Sequence, residues 1–130
     1  MTEFKVLLIH ANSTLDTLIP PNLSIMSAML KHAGFRVKLF DTTFYKTRAS
    51  TGDDARVKTL QVKETNFEDL GINLNKTDMY DDFMKLVREY NPDVVGLSAV
   101  SLTYPFGVKF LKILKDEIPN IPTIVGGIHA

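Results

Sequence analysis

The sequence contains no cysteine among its 130 residues. This absence excludes disulfides, cysteine-ligated zinc, a cysteine nucleophile and a cysteine-ligated iron–sulfur cluster within the segment. An excess of charge is lacking too, because 15 Lys and Arg residues balance 15 Asp and Glu residues. The balance gives no electrostatic reason to expect nucleic acid or an anionic membrane as a partner. Neither a bilayer-spanning apolar run nor a signal-peptide pattern is present, so we expect a cytoplasmic protein.

Short apolar runs alternate with helical patterns along the chain. Predicted strands cover residues 4–10, 35–41, 93–98 and 122–125. Predicted helices begin at Pro20-Pro21, after Asp78 and at Pro105. Their expected apolar faces comprise Leu23, Ile25, Met26, Met29 and Leu30 in the first helix, Met79, Phe83, Leu86, Val87 and Tyr90 in the second, and Phe106, Phe110, Leu111 and Leu114 in the third. This order predicts an α/β, flavodoxin-like (Rossmann-like) fold, a parallel sheet with helices on both faces.

The chain has the length of one domain, residues 1–130, with a less regular stretch inside it. Residues 43–77 are rich in Thr, Lys, Asp and Asn, and Gly52 and Gly71 interrupt them. We expect an irregular, solvent-exposed excursion there.

Small and polar residues follow three of the strands, where ligands bind in open α/β sheets. The candidate ligand-binding residues are Asn12, Ser13 and Thr14 after the first strand, Ser98, Ala99, Val100, Ser101 and Thr103 after the third, and Gly126, Gly127 and His129 after the fourth. Hydroxyl groups and glycine backbone suit a large, neutral, planar ligand rich in amides. The same hydroxyl groups could instead cap the next helix, and the glycine pair could simply turn the chain.

Several familiar sites are missing from the sequence. The loop after the first strand has neither a G-x-G-x-x-G nor a G-x-x-x-x-G-K-[ST] motif, which argues against a dinucleotide or a cradled phosphate. Asp41 ends the second strand, where a dinucleotide-binding fold places its ribose-binding acid, but that motif's glycines are absent. His10 and His129 could converge at the ligand edge as hydrogen-bonding groups. No residue is assigned as catalytic or metal-ligating.

An ordered set of short motifs resembles a known family. The set comprises Lys5-Val6-Leu7-Leu8-Ile9, Pro20-Pro21-Asn22-Leu23-Ser24, Ala33-Gly34-Phe35-Arg36-Val37, Phe40-Asp41-Thr42, Pro92-Asp93-Val94-Val95-Gly96-Leu97-Ser98 and Ile121-Pro122-Thr123-Ile124-Val125-Gly126-Gly127-Ile128-His129-Ala130. It resembles the amino-terminal cobalamin-binding domain of cobalamin-dependent radical S-adenosylmethionine enzymes, and it covers nearly all of the chain outside residues 43–77.

The resemblance implies cobalamin as the cofactor, presented to a downstream catalytic domain of the same chain for methyl transfer. S-adenosylmethionine and an iron–sulfur cluster would belong to that missing domain, so this segment would be an amino-terminal fragment without catalytic activity of its own. The family's S-x-L motif has a near match in Ser98-Ala99-Val100, and its Gly-Gly pair is Gly126-Gly127. The wider fold's D-x-H-x-x-G motif is absent from residues 12–17, which implies that no histidine there ligates cobalt.

Two other functions fit the same residues. The chain could be a flavodoxin-like interaction domain that has lost its ligand and packs on a partner domain. It could also be a small enzyme acting through His10 or His129.

Overall fold

A computed structural model describes residues 3–16, 20–47 and 52–127. Its elements in chain order are β1 Lys5–His10, α1 Pro21–His32, β2 Arg36–Asp41, α2 Gly52–Lys58, α3 Met79–Tyr90, β3 Val94–Ser98, α4 Tyr104–Glu117 and β4 Thr123–Gly126. A single 3₁₀ turn, Glu68–Leu70, lies before α3. All four predicted strands and the three predicted helices are present, so the predicted alternation is confirmed.

The four strands form one parallel sheet in the order β2-β1-β3-β4. Strand β2 lies at one edge, and β1 lies inside. Since all strands run in the same direction, the segments that follow them emerge at one edge of the sheet. The flavodoxin-like fold predicted from the sequence is confirmed.

One face of the sheet packs against α3 and α4, and we call it the α3–α4 face. The ring centroids of Phe40, Phe83 and Phe110 lie 5.1 to 5.5 Å apart in edge-to-face pairs. Each such pair contributes about 0.5–1.5 kcal/mol beyond the burial of its area. Leu7 and Leu114, both fully buried, extend this cluster. The predicted apolar faces of α3 and α4 are therefore confirmed as the side that packs on the core.

The opposite face, which we call the α1 face, is much more thinly covered. Its buried cluster consists of Val6, Leu8 and Leu23. The expected apolar face of α1 is only partly right: Leu23 is buried, whereas Met26 and Met29 are exposed. The physical reason is that α1 contacts β2, and no other helix in the described part of the chain makes extensive contact with it.

The described residues of the excursion at 43–77 contain little regular structure. The short helix α2 and the 3₁₀ turn lie inside it. Two of its first residues, Thr43 and Tyr45, are buried, and a β-bridge joins Tyr45 to Asn75. From Leu60 to Gly71 the chain is exposed, as expected.

Local signals explain where the helices begin and end. The Asp78 carboxylate accepts hydrogen bonds from the backbone N–H groups of Tyr80, at 2.8 Å, and Asp81, at 3.1 Å, so it caps α3. Gly34, with a φ of 91°, turns the chain out of α1. Within the described ranges, none of these helices has the length and hydrophobicity that a membrane span requires.

Candidate functional site

The last residues of the four strands form a row across the carboxyl end of the sheet. His10 pairs with Asp41 on one side and with Ser98 on the other, and Ser98 pairs with Gly126. We call these four residues the terminal row. Residues paired in register on parallel strands project from the same face, so the row has a single orientation.

The terminal row faces the α1 side of the sheet. Successive residues of a strand point to opposite faces, so His10 shares its face with Val6 and Leu8. Those two side chains pack with Leu23 of α1. The row therefore lies on the thinly covered face, at the edge where the chain leaves the strands.

Gly126 leaves space at one end of the row. A Cβ atom built at this position would have no heavy atom of residues 3–16, 20–47 or 52–127 within 4 Å, its chain neighbours aside. At Gly96, two residues before Ser98 and on the same face, a Cβ would lie 3.1 Å from Leu8 Cδ2. The space beside the sheet is thus open at Gly126 and closed by protein at Gly96.

Gly127 adopts a backbone conformation that requires glycine. Its φ is 124°, and a Cβ there would lie 2.2 Å from the carbonyl oxygen of Ala99. Since side chains rarely adopt that φ and the oxygen belongs to the backbone, substitution strains the protein itself.

His10 is a buried base in the middle of the row. Its relative exposure is 8%, and its Nε2 atom has no hydrogen-bond partner among the described residues. Burial lowers the pKa of His10, and the nearby Asp41 carboxylate opposes that effect. The imidazole is therefore neutral at pH 7, with one ring nitrogen available to a further group.

Ser98 connects the row to α1. The Asn22 side-chain amide donates a hydrogen bond of 3.1 Å to Ser98 Oγ. Asn22 is exposed in the first turn of the helix. The contact brings the start of α1 to the carboxyl end of β3.

The loop after β1 is held by residues that follow β2. The Asn12 backbone N–H donates to Thr42 Oγ1 at 2.8 Å, and the Asn12 side-chain amide donates to Thr43 Oγ1 at 2.8 Å. Thr14 Oγ1 donates to the carbonyl oxygen of Tyr45 at 2.9 Å. Ser13 is fully buried, and its hydroxyl has no partner. The polar groups of Asn12 and Thr14 thus hold two loops together.

The loop after β3 has both inward and outward positions. Ala99 and Thr103 are buried. Thr103 Oγ1 accepts a hydrogen bond from the Val100 backbone N–H at 3.2 Å, so this hydroxyl stabilises its own loop. Val100 and Ser101 are exposed. The expectation that all four residues contact a ligand remains a prediction.

Ser98 and Gly126 are thus brought into one row, with Gly127 next to it, while residues 12–14 and 99–103 form the adjoining loops. His129 lies outside the described residues. Sequence reasoning placed His10 near the ligand edge as a possible hydrogen-bonding group, left it out of the candidate ligand-binding residues, and gave no role to Asn22. The sequence does contain a signal for the terminal row. Three of the apolar strands each end in a polar residue, and these residues become neighbours when the strands lie side by side.

A separate groove of about 1250 Å³ lies beside the excursion. Its lining includes Tyr45, Tyr80 and Lys109, and no member of the terminal row. The Tyr45 hydroxyl donates to Asp82 at 2.8 Å, and the Tyr80 hydroxyl donates to the Phe106 carbonyl at 3.3 Å. Burial and this carboxylate raise the pKa of Tyr45 to about 12. Both hydroxyl groups are engaged within the protein, so the groove is a weaker candidate than the row.

The part of the chain that the structure describes has no clear metal-binding site. No group of three or more His, Asp or Glu side chains there could hold a metal ion. The chemistry of the row is instead that of hydrogen bonding: an imidazole nitrogen, a hydroxyl and open backbone.

Comparisons with known proteins give two findings. The profile of the family described as "B12 binding domain" matches residues 7–130. The chain is also similar to cytidylyl-2-hydroxyethylphosphonate methyltransferase of Streptomyces wedmorensis, with 29% identity over 136 residues. That alignment covers 97% of this chain and 22% of the relative, so the chain spans under a quarter of the relative's length. No solved structure matches the chain.

Proposed function

The chain belongs to the B12 binding domain family, and from that membership we propose that it presents cobalamin to a radical S-adenosylmethionine domain of the same protein. Cobalamin, when bound, supplies the chemistry of methyl transfer, while the protein binds and orients it. The name of the Streptomyces relative, a methyltransferase, supports methyl transfer as the reaction. Its greater length supports a longer protein that contains further domains.

The terminal row is the observation that carries the proposal at the level of residues. Ser98 offers a hydroxyl, His10 a buried nitrogen without a partner, and Gly126 clear space, all on one face. A large ligand with amide side chains fits this set, because it needs clearance and neutral hydrogen bonds rather than a charged site. Val100 and Ser101, exposed in the adjoining loop, would extend the contact.

Titration with hydroxocobalamin tests binding directly, followed through its visible spectrum and by equilibrium dialysis. We expect weak binding by residues 1–130, since the row provides one wall and tight pockets bury about 70–90% of a ligand. Nanomolar affinity for this segment alone would contradict the one-wall arrangement. No binding at millimolar hydroxocobalamin would favour the alternative function, an interaction domain without a ligand.

The axial ligand of cobalt gives a second test. We expect no histidine of this chain to ligate cobalt, because residues 12–17 lack the histidine of the wider fold. The electron spin resonance spectrum of bound cob(II)alamin should therefore be the same with ¹⁴N- and ¹⁵N-labelled protein. His10→Ala and His129→Ala should leave it unchanged. A protein nitrogen coupling that disappears in either variant would contradict this expectation.

The proposed radical S-adenosylmethionine domain is tested by sequencing the gene that encodes the chain. We expect a C-x-x-x-C-x-x-C motif in the sequence that follows Ala130, and an iron–sulfur cluster after reconstitution of that longer protein. A continuation without such a motif would remove the radical domain from the proposal and leave cobalamin binding intact.

A further inference from the structure

We propose that His10 is a ligand-contacting residue whose Nε2 atom forms a hydrogen bond with a neutral polar group of bound cobalamin. The inference rests on the proposed function. It goes beyond the sequence, which placed His10 only near the ligand edge, by naming the contacting atom and the kind of ligand group that it binds.

The first observation is the distribution of unsatisfied buried groups. In the described ranges, three buried side-chain polar atoms lack a partner: His10 Nε2, Ser13 Oγ and the Tyr90 hydroxyl. Two of the three lie within four residues of each other, at the carboxyl end of β1. An unsatisfied buried group costs about 1–3 kcal/mol, so its presence needs a compensating role.

The second observation is where His10 lies. It occupies the row between Asp41 and Ser98, on the face where Gly126 leaves open space. Neighbouring strands lie roughly 4.8 Å apart, so a ligand that spans the row from Gly126 passes Ser98 and then reaches His10. A ligand of the size of cobalamin can do this, whereas a small anion cannot.

The third observation concerns the chemistry of the contact. Asp41, which pairs with His10 from β2, is partly engaged, because its Oδ1 atom accepts hydrogen bonds from the Thr43 backbone N–H at 2.9 Å and from Thr43 Oγ1 at 2.6 Å. Burial keeps the imidazole neutral, with one nitrogen a donor and the other an acceptor. The complementary group on the ligand is therefore an uncharged amide or hydroxyl, both of which cobalamin has.

The test compares His10→Leu, which removes both ring nitrogens, with His10→Gln, which keeps a polar group at a similar reach. His32→Leu is the matched control, since His32 is exposed near the end of α1. The ligand is cyanocobalamin, because its cyanide blocks the upper cobalt position against a stray imidazole. Affinity is measured by equilibrium dialysis, and thermal unfolding is measured without ligand.

We expect His10→Leu to weaken binding about three- to tenfold, the range for one hydrogen bond. We expect it to leave the ligand-free melting temperature unchanged or raise it, because it removes an unsatisfied buried group. His10→Gln should recover part of the affinity, and His32→Leu should bind like the parent. A purely structural histidine would give the opposite stability result, a lower melting temperature without ligand.

Nitrogen-15 NMR of the unmodified protein provides a second measurement. It needs no variant, so it gives a result even if a variant fails to fold. The His10 Nε2 resonance should shift on addition of cyanocobalamin. Equal affinity of His10→Leu and parent, or an unmoved resonance at saturation, would overturn the inference while cobalamin binding stands. A parent that binds neither cyanocobalamin nor hydroxocobalamin would overturn both the inference and the proposed function.

Discussion

The two faces of the sheet differ in how completely they are packed. On the α3–α4 face, Phe83 and Phe110 have no exposed surface. On the α1 face, Leu39 is 47% exposed and Ile124 is 63% exposed, although both lie on strands of the same sheet. The first face has the density of a protein interior, and the second has room beside it. The difference separates the residues that stabilise the fold from those that remain available to a ligand or a further segment.

Truncating one side chain on each face is the strongest test of this comparison. Phe83→Ala should lower the free energy of unfolding by about 3–5 kcal/mol, because it leaves a cavity among three packed rings. Ile124→Ala should change it by less than about 0.5 kcal/mol, since most of that side chain is already in water. Urea titration of the two variants measures both values. Equal losses would show that the faces do not differ in the way their packing indicates.

Gly126 and Gly127 allow an open position and a packed position to be compared at two adjacent residues. Gly127→Ala should cost on the order of 1–3 kcal/mol, because of its φ and the nearby Ala99 carbonyl oxygen. Gly126→Val should leave stability nearly unchanged, since nothing lies within 4 Å of its Cβ position. Hydroxocobalamin affinity should fall in Gly126→Val, because the side chain enters the space beside Ser98.

Thermal melts and dialysis of the same two preparations decide this prediction. The expected pattern is loss of stability at Gly127 and loss of binding without loss of stability at Gly126. If Gly126→Val binds as well as the parent, the open space beside the row is not where the ligand lies.

Local sequence patterns were sufficient to predict most of the fold. The apolar run of β1 and the spacing of Phe83, Val87 and Tyr90 in α3 are set by neighbours in the chain, as is the Asp78 cap. The residues that directly follow β2 were not predictable in this way. Thr42 and Thr43 look like exposed loop residues, yet they are buried because they bind the loop after β1.

The candidate site was predictable only in part. Ser98 and Gly126 were expected near a ligand because they end strands in a parallel sheet. That His10 stands beside Ser98 depends on the register between β1 and β3, which no local pattern specifies. The hydroxyl groups of Thr14 and Thr103 could equally face a ligand or the protein, and the structure shows both bonded within their loops.

The smallest expected effect is a dependence of stability on pH that originates at His10. Burial lowers its pKa in the folded state from the ordinary 6.5, so the unfolded chain binds the proton more readily. Above about pH 7.5, His10 should therefore not affect how the free energy of unfolding varies with pH. Below pH 6.5, the free energy of unfolding should decrease as the pH falls.

Asp82 does not interfere in this range. Its pKa is lowered by hydrogen bonds from Thr77 and Tyr45, so its contribution is lost only below the ordinary carboxylate range, under pH 3.8. Urea titrations between pH 5 and 8 isolate the histidine: His10→Gln should flatten the slope, and His32→Gln should retain it. A slope that survives in His10→Gln would mean that the imidazole can be protonated without cost, which requires a wetter α1 face than the packing at His10 indicates.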